Sequence, residues 1–248
     1  MTDRLHFAPG GYACLPGGAF SQGVIALPGY ALHRARFTRP LPLAQGFSAL
    51  EAHLTRLGRP ITALAGCELR CPAPMAWAEF ASFNEGYLRR LQAWGLHAGP
   101  VNPVARSNLA PILEVPAEAM LFAFTYTVPD GGGRGDFLIS GLPEIREGAP
   151  EAERVVGGHD VSLRGLERKA RYVVEALQAR VQALGGDWAG ITGTQVYTVH
   201  DIRPLLESVF APVGLTTPGI TWYPAWPPVL GLEFEADVRR VRTELVLG

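Results

Sequence analysis

The chain has 248 residues, 48% of them hydrophobic, and a formal net charge of −1 at pH 7. Its length allows one large domain or two of ordinary size. The near-neutral charge disfavours nucleic acid or an anionic membrane surface as a partner, and no apolar run approaches the ~18 residues needed to cross a bilayer.

The cysteines and histidines bear on compartment and on metal binding. Cys14, Cys67 and Cys71 form an odd, small set, and the N-terminal segment is too polar and glycine-rich for a secretory signal. We therefore expect reduced thiols in a cytoplasmic protein. The spacing in CELRC does not suit zinc, and the dipeptides that begin at His159 and His200 lack further ligands, so we expect no metal ion.

The first half of the chain alternates strand and helix patterns. Two amphipathic stretches have helical periodicity, and they are separated by a short apolar strand pattern and enclosed by further strand patterns. In chain order these are the strand candidates AFSQGVIALPGYALHRARF (19–37), the helix GFSALEAHLTRLG (46–58), the strand ALAGCELRC (63–71), the helix WAEFASFNEGYLRRLQAWGL (77–96) and the strand pair PVARSNLAPILEVPAEAMLFAFTYTV (103–128).

A glycine-rich segment, VPDGGGRGD (128–136), reads as a linker near the midpoint, and the pattern then repeats. Asp201 is a candidate N-cap for the second helix of this half, and Pro204 falls in its first turn. The elements are the strand candidate DFLISGLPEIR (136–146), the helix LERKARYVVEALQARVQALGG (166–186), the strand ITGTQVYTV (191–199), the helix HDIRPLLESVFAPVGL (200–215) and the closing strands ITWYPAWPPVLGLEFEADVRRVRTELV (220–246).

This order predicts an α+β protein made of two tandem domains, residues 1–130 and 131–248. Each domain is expected to contain a mixed β-sheet with two helices packed on one face. One face of each such sheet is left to be covered by neighbours, so we expect a homo-oligomer. The only lysine, Lys169, lies in a helix pattern, and we expect it on a solvated helix face rather than as a Schiff-base residue.

Four local motifs resemble the reactive-intermediate deaminase (Rid) family of small trimeric α+β proteins, which hydrolyse imines and enamines. The resemblance covers most of both halves, and tandem chains of this length are similar to the aminomuconate deaminases of aromatic degradation. It implies chorismate-mutase-like domains and favours a homotrimer. The motifs are GAFSQGV (18–24), FNEGY (83–87), VARSNLAPILEVP (104–116) and GLEFEADVRRV (231–241).

The same resemblance assigns candidate site residues. Arg106 matches the carboxylate-binding arginine, Asn84 the asparagine of the helix start, and Phe20 stands where the family usually has tyrosine. The glutamates of the closing strand are replaced by phenylalanines in the first half, whereas the second half keeps Glu233 and Glu235 but lacks the arginine. These differences predict a composite site that joins Arg106 to Glu233.

The residues themselves leave alternatives open. Arg106 is either a carboxylate clamp, helped by Ser107 and nearby backbone N–H groups, or one partner of a salt bridge at a rim. Glu233 and Glu235 alternate along a strand, as does Asp237, so this row is either solvated or contains a buried general acid/base with a raised pKa.

Two further groups have both a catalytic and a structural interpretation. His200 is either a proton shuttle or a surface residue beside the helix cap. Trp222 and Tyr223, in TWYPAWPP (221–228), are either an aromatic wall for a flat conjugated substrate or part of a rigid subunit contact.

The leading functional hypothesis is a hydrolytic deaminase that acts on a carboxylated enamine or imine, above all 2-aminomuconate or a substituted 2-aminomuconate. Protonation of carbon, attack of water on the imine and a fixed substrate are sufficient for this reaction, so we expect no cofactor. The alternatives are a non-catalytic Rid-like protein that binds a small molecule or acts as a scaffold, and a chorismate-processing relative.

Overall fold

The structure, a computed structural model, describes residues 4–132 and 135–248. The linker predicted at 128–136 connects two strands, and its residues 133 and 134 lie outside the described part. Helices of the described residues are α1 (Leu43–Arg56), α2 (Trp77–Ala93), α3 (Glu151–Arg154), α4 (Leu163–Leu184) and α5 (Arg203–Leu205). Strands are β1 (Leu5–Phe7), β2 (Tyr12–Leu15), β3 (Gly23–Ala26), β4 (Tyr30–Pro42), β5 (Leu64–Arg70), β6 (Ala105–Pro111), β7 (Met120–Pro129), β8 (Phe137–Ile139), β9 (Leu142–Pro143), β10 (Gly193–Tyr197), β11 (Ile220–Tyr223), β12 (Ala225–Trp226), β13 (Glu235–Arg240) and β14 (Thr243–Leu247).

The strands form two mixed sheets, and each sheet takes strands from both halves of the chain. One has the order β1-β2-β3-β8-β13-β10-β11, with β9 also paired to β13, and the other has the order β12-β6-β5-β7-β4-β14. Thus β1–β3 join second-half strands, whereas β12 and β14 extend the sheet of the first half. The boundary at residue 130 stays a prediction about the sequence repeat, because the sheets do not divide there.

The α+β architecture expected from the repeat is present in both halves. Helix α4 begins at Ser162, whose Oγ accepts a hydrogen bond from the Gly165 N–H, and ends at Gly185, which has a left-handed φ of 72°. Its apolar stripe is buried against the first sheet. The second helix of this half is short and irregular: α5 is followed by a π turn and a 3₁₀ turn up to Val213. Asp201 Oδ1 accepts the Arg203 N–H at 3.0 Å, as a capping residue would.

Lys169 does not lie on a solvated helix face, so that expectation was wrong. Its side chain is fully buried, and Nζ lies 3.3 Å from Glu144 Oε1 while donating to the carbonyls of Val156 and Gly158. The physical reason is spacing, because Lys169 precedes the core residue Val173 by one helical turn and shares its buried face. The ammonium is tolerated there because it has a carboxylate and carbonyl oxygens as partners.

A buried polar layer joins the inner faces of the two sheets. Arg34 Nε and Nη2 donate to both carboxylate oxygens of Glu68, and Gln195 Nε2 lies 3.3 Å from the same carboxylate. Ser107 on β6 donates to Asp237 on β13 at 2.6 Å. These contacts fix β6 of one sheet against β13 of the other. Among the described residues, no helix is long and apolar enough to span a membrane.

Candidate active site

Strand β6 directs the side chain of Arg106 toward helix α2. The residue is only 2% exposed, and Nη2 donates to Asn84 Oδ1 at 2.7 Å. Nε and Nη1 are buried and have no hydrogen-bond partner within the described residues. Burial lowers the pKa of Arg106, but a guanidinium remains charged at neutral pH. A buried cation therefore retains hydrogen-bond donors for an additional acceptor.

Aromatic rings surround this guanidinium. Its carbon lies 4.3 Å from the ring centre of Phe20 and 4.9 Å from that of Tyr87. The rings of Phe80 and Phe83 follow at 5.4 Å and 5.8 Å. Aromatic rings stabilise a cation without using its N–H groups when they approach it by their faces. The cation is thus supported and still able to bind an anion.

Arg106 lines a partly open cavity of about 190 Å³, here called the inner cavity. Glu235 of the second half lines the same space. A larger space of about 600 Å³, the outer cleft, shares six wall residues with the inner cavity, so the two are continuous. The shared residues are Phe20, Trp77, Phe80, Gly141, Pro143 and Ile145.

Glu235, the first residue of β13, is 3% exposed. Burial raises the pKa of this carboxyl well above its ordinary value, and the negative charges of Asp237 and Glu144 raise it further. The positive charges of Arg106 and Arg180 oppose this shift. Burial and the neighbouring negative charges therefore favour the protonated form of Glu235, in a cavity that it shares with the Arg106 guanidinium.

The turn between β8 and β9 brings these two groups together. The Gly141 N–H donates to the Arg106 carbonyl at 3.1 Å, and the Arg106 N–H donates to Ser140 Oγ at 3.0 Å. A Cβ on Gly141 would collide with Oε1 of Glu235, so this position needs glycine for space rather than for backbone conformation.

Glu144 holds the segment that precedes Glu235. Its carboxylate accepts the N–H groups of Glu233 at 2.7 Å and Phe234 at 3.2 Å, and it is paired with Lys169. Burial raises the pKa of Glu144, while the Glu233 N–H and the Lys169 charge lower it. The buried lysine thus supports the strand end that carries Glu235.

The structure brings together some of the sequence-predicted residues. Arg106, Phe20 and Glu235 line the inner cavity, and Asn84 lines the outer cleft. Ser107 points to the opposite face of β6, as alternation along a strand requires.

The remaining predicted residues lie elsewhere. Glu233 precedes β13, and its carboxylate is 2.8 Å from Nε2 of His200, so neither side chain lines the inner cavity or the outer cleft. Trp222 donates its indole N–H to the Thr198 carbonyl. Tyr223 lines a separate cavity of about 590 Å³.

Several site residues were missed by sequence reasoning. Trp77 and Phe80 lie on the helix that carries Asn84, one helical turn or more before it, so helical spacing could have found them. Arg180 lies about two helical turns after Tyr172 on α4, and both residues are partly buried. Their helical spacing was also a usable signal. No sequence signal marks Gly141 or Glu144 as site residues, since their contacts come from distant parts of the chain.

This arrangement can bind the carboxylate of a ligand at Arg106 and exchange a proton with another atom of the same ligand at Glu235. The guanidinium provides a fixed positive charge in a cavity lined mainly by apolar side chains, where its attraction for an anion is stronger than in bulk water. The protonated carboxyl provides the acid, and after losing its proton it becomes a base at the same position. The described residues contain no group of three or more His, Cys, Asp or Glu that could hold a metal ion.

Comparison with known proteins gives a family and a fold. The sequence profile described as "2-aminomuconate deaminase CnbZ" matches residues 4–245. A 2-amino-5-chloromuconate deaminase of Comamonas testosteroni is 42% identical over 251 residues, which cover the whole of both chains. A crystal structure of chorismatase matches 92% of this chain and 81% of its own with a TM-score of 0.51 at 15% identity, a likeness of fold alone. The YjgF gene product of E. coli matches 43% of this chain and 80% of its own, with a TM-score of 0.31 and 19% identity.

Proposed function

The chain belongs to the 2-aminomuconate deaminase family CnbZ, and from this premise we propose that it hydrolyses 2-aminomuconate or a substituted 2-aminomuconate, releasing ammonia in the degradation of aromatic compounds. The observation that carries the proposal is that two buried side chains, Arg106 and Glu235, line one cavity. The first group recognises a carboxylate, and the second supplies and removes protons.

The carboxylate next to the amino-bearing carbon binds at Arg106. One guanidinium nitrogen, Nη2, donates to Asn84, whereas Nε and Nη1 have no hydrogen-bond partner among the residues that the structure describes. Bound in this way, the substrate places its conjugated carbon chain among the aromatic walls of the inner cavity. Orientation by a fixed charge holds the substrate in place without a covalent bond to the protein.

The proton steps are assigned to Glu235. In its protonated form it donates to the enamine carbon, which converts the enamine to an iminium ion and leaves Glu235 as a carboxylate. Water then attacks the iminium carbon and gives a proton to that carboxylate. Transfer of the hydroxyl proton to nitrogen and cleavage of the C–N bond release ammonia and a 2-oxo acid, so one water is consumed per substrate.

The raised pKa of Glu235 supports this order of events. A general acid with an ordinary glutamate pKa would be ionised at neutral pH and could not begin the reaction. Burial and the neighbouring charges of Asp237 and Glu144 raise the pKa of Glu235 and so favour the protonated form that the first step requires. The partial compensation by Arg106 lets the same group become a carboxylate later in the cycle.

We also propose a cytoplasmic homotrimer. Three free, buried thiols suit a reducing compartment. An exposed apolar loop after β6 supports self-association, since Ile112, Leu113 and Val115 are 44%, 66% and 55% exposed. Light scattering after gel filtration measures the mass, and a monomeric mass would exclude the trimer without affecting the proposed reaction.

The reaction is tested with freshly generated 2-aminomuconate and purified protein. We expect ammonia to appear in a 1:1 ratio with the substrate that disappears from the absorbance record, and oxygen from labelled water to enter the 2-oxo product. Absence of turnover by a folded protein, on this substrate and on a chlorinated one, would contradict the proposed function.

A further inference from the structure

Arg180 is the second arginine of the site, and its partner is weakly held. It projects from α4 into the outer cleft with a side-chain exposure of 17%. Nη2 lies 3.0 Å from Oε1 of Glu147, whose own side chain is 70% exposed. No other side-chain carboxylate bonds to Arg180 within the described residues. A largely buried cation is thus neutralised by a glutamate that stands mostly in solvent.

Arg106 and Arg180 are the only cationic side chains lining the inner cavity and the outer cleft in the described part of the chain. Both act electrostatically on the Glu235 carboxyl. Since the two spaces share walls, a ligand that extends from the inner cavity into the outer cleft runs from one guanidinium toward the other. Gly141 lines both spaces, and Glu235 lies in the wall of the inner cavity.

We propose that Arg180 binds the distal carboxylate of an extended dicarboxylate ligand, replacing Glu147, and so makes the site selective for dicarboxylates over monocarboxylates. The choice of ligand class rests on the proposed function, whereas the selectivity itself is a property of the two arginines. Arg106 holds the carboxylate beside the reacting carbon, and Arg180 holds the one at the far end of the chain.

The exchange of carboxylates is energetically reasonable. Glu147 is 70% exposed, so its carboxylate is hydrated as soon as it leaves Arg180, and the ligand carboxylate takes its place beside the guanidinium. A ligand carboxylate that is already anchored at Arg106 meets Arg180 at high effective concentration. The wall of the cleft is also fixed in advance, because Tyr172 donates its hydroxyl to the Ile145 carbonyl at 2.7 Å.

The test uses a matched pair of stable ligands, trans,trans-muconate and sorbate. They share the same diene skeleton, and in sorbate a methyl group replaces one carboxylate. Calorimetric titration of the full chain measures both affinities in wild type, Arg180→Gln and Glu147→Gln. Arg168→Gln is the matched control, since Arg168 lies on the same helix but is 60% exposed and is paired with Asp160.

We expect Arg180→Gln to weaken muconate binding roughly 10- to 100-fold and to leave sorbate binding unchanged, as loss of one charged hydrogen bond predicts. Glu147→Gln is expected to strengthen muconate binding only, because it removes the internal competitor. Arg168→Gln should change neither affinity. Equal effects of Arg180→Gln on both ligands, or no effect on either, would overturn the proposal.

Failure of this inference is distinguishable from failure of the proposed function. If Arg180→Gln does not fold, the direction of change in Glu147→Gln decides, and unchanged muconate affinity there contradicts the proposal. If 2-aminomuconate is turned over but the ligand pair is not discriminated through Arg180, the inference alone is lost. If no turnover occurs and the discrimination is present, the proposed function is lost and the dicarboxylate site stands.

Discussion

Arg106 and Glu235 are 129 residues apart in the sequence, in different halves of the chain, and both residues line the inner cavity. β6 carries the arginine and the start of β13 carries the glutamate, and the turn at Gly141 lies against both. The arrangement explains why neither half of the chain contains a complete set of site residues.

Arg106→Gln should remove turnover without loss of stability. Arg106 and the substrate carboxylate form a desolvated charge pair in the proposed complex. Truncating one member of such a pair costs about 2–5 kcal/mol of binding, so kcat/KM should fall at least about 30-fold. The free energy of unfolding should not fall, because the substitution removes a buried charge that is incompletely paired. The Tm of the variant should therefore be unchanged or higher. Steady-state kinetics and thermal unfolding measure the two effects. Arg89→Gln is the control, since Arg89 is a 73% exposed arginine on the same helix as Asn84. Wild-type kinetics in Arg106→Gln would show that Arg106 is not part of the active site.

Glu235→Gln should change how stability depends on pH. The folded pKa of Glu235 lies well above its ordinary value of 4.5, so between these two pKa values the folded chain binds a proton that the unfolded chain does not. The stability contributed by this proton is fully present below about pH 4.5 and is lost as pH rises toward the folded pKa. Glutamine cannot ionise, so the variant should lose less stability over that range.

Urea unfolding at a series of pH values from about 5 to about 8 measures this difference. Glu175→Gln, which changes an exposed glutamate on α4, should keep the wild-type slope. Parallel stability curves for wild type and Glu235→Gln would show that Glu235 is ionised in the folded protein.

Gly141→Ala should impair turnover by displacing a carboxyl group. The added Cβ would collide with Oε1 of Glu235 and would lie 3.4 Å from the Ser107 Cα, so the flexible glutamate side chain must move. Misplacing a reacting group by about 1 Å can cost on the order of 100-fold in rate. We expect kcat to fall by at least tenfold while the far-ultraviolet circular dichroism stays native. Gly131→Ala adds a methyl group with no heavy atom of the described residues within 4 Å and should have no effect. A fully active Gly141→Ala would show that the position of Glu235 does not matter for the reaction.

Lys169→Met should destabilise the second half of the chain. Both side chains of the Lys169–Glu144 pair are 0% exposed, so removing the lysine leaves a buried carboxylate without its counter-ion. Breaking a buried pair in this way costs about 3–5 kcal/mol. Denaturant unfolding measures the loss, and Lys169→Met combined with Glu144→Gln should recover part of it. A single variant as stable as wild type would mean that the pair contributes nothing.

Local sequence patterns predicted most of the elements because periodicity is a local property. The apolar spacing around Val173 marks the buried face of α4, and the same spacing, applied to Lys169, would have placed that residue correctly. Residue type alone predicts the opposite, because lysine side chains are mostly exposed in folded proteins. A lysine is buried when carbonyl oxygens happen to converge on it, and those of Val156 and Gly158 come from a loop outside the helix.

Pairings between distant segments could not be predicted. Nothing in the sequence indicates that β12 would pair with β6 or that β14 would pair with β4. The different environments of Glu233 and Glu235 could not be predicted either, since alternation along a strand places both side chains on the same face. The structure separates them because β13 begins only at Glu235, while Glu144 and His200 hold Glu233 in the preceding segment.

The most direct measurement of the central claim is ammonia release from 2-aminomuconate by Glu235→Gln and Glu233→Gln, compared side by side with wild type. If the acid of the inner cavity does the chemistry, Glu235→Gln should lose about 100-fold or more of kcat, as expected for a missing general acid/base. Glu233→Gln should retain most of it, because its carboxylate is directed to His200. The opposite result, an active Glu235→Gln and an inactive Glu233→Gln, would contradict the account and move the reaction to the His200 side of β13.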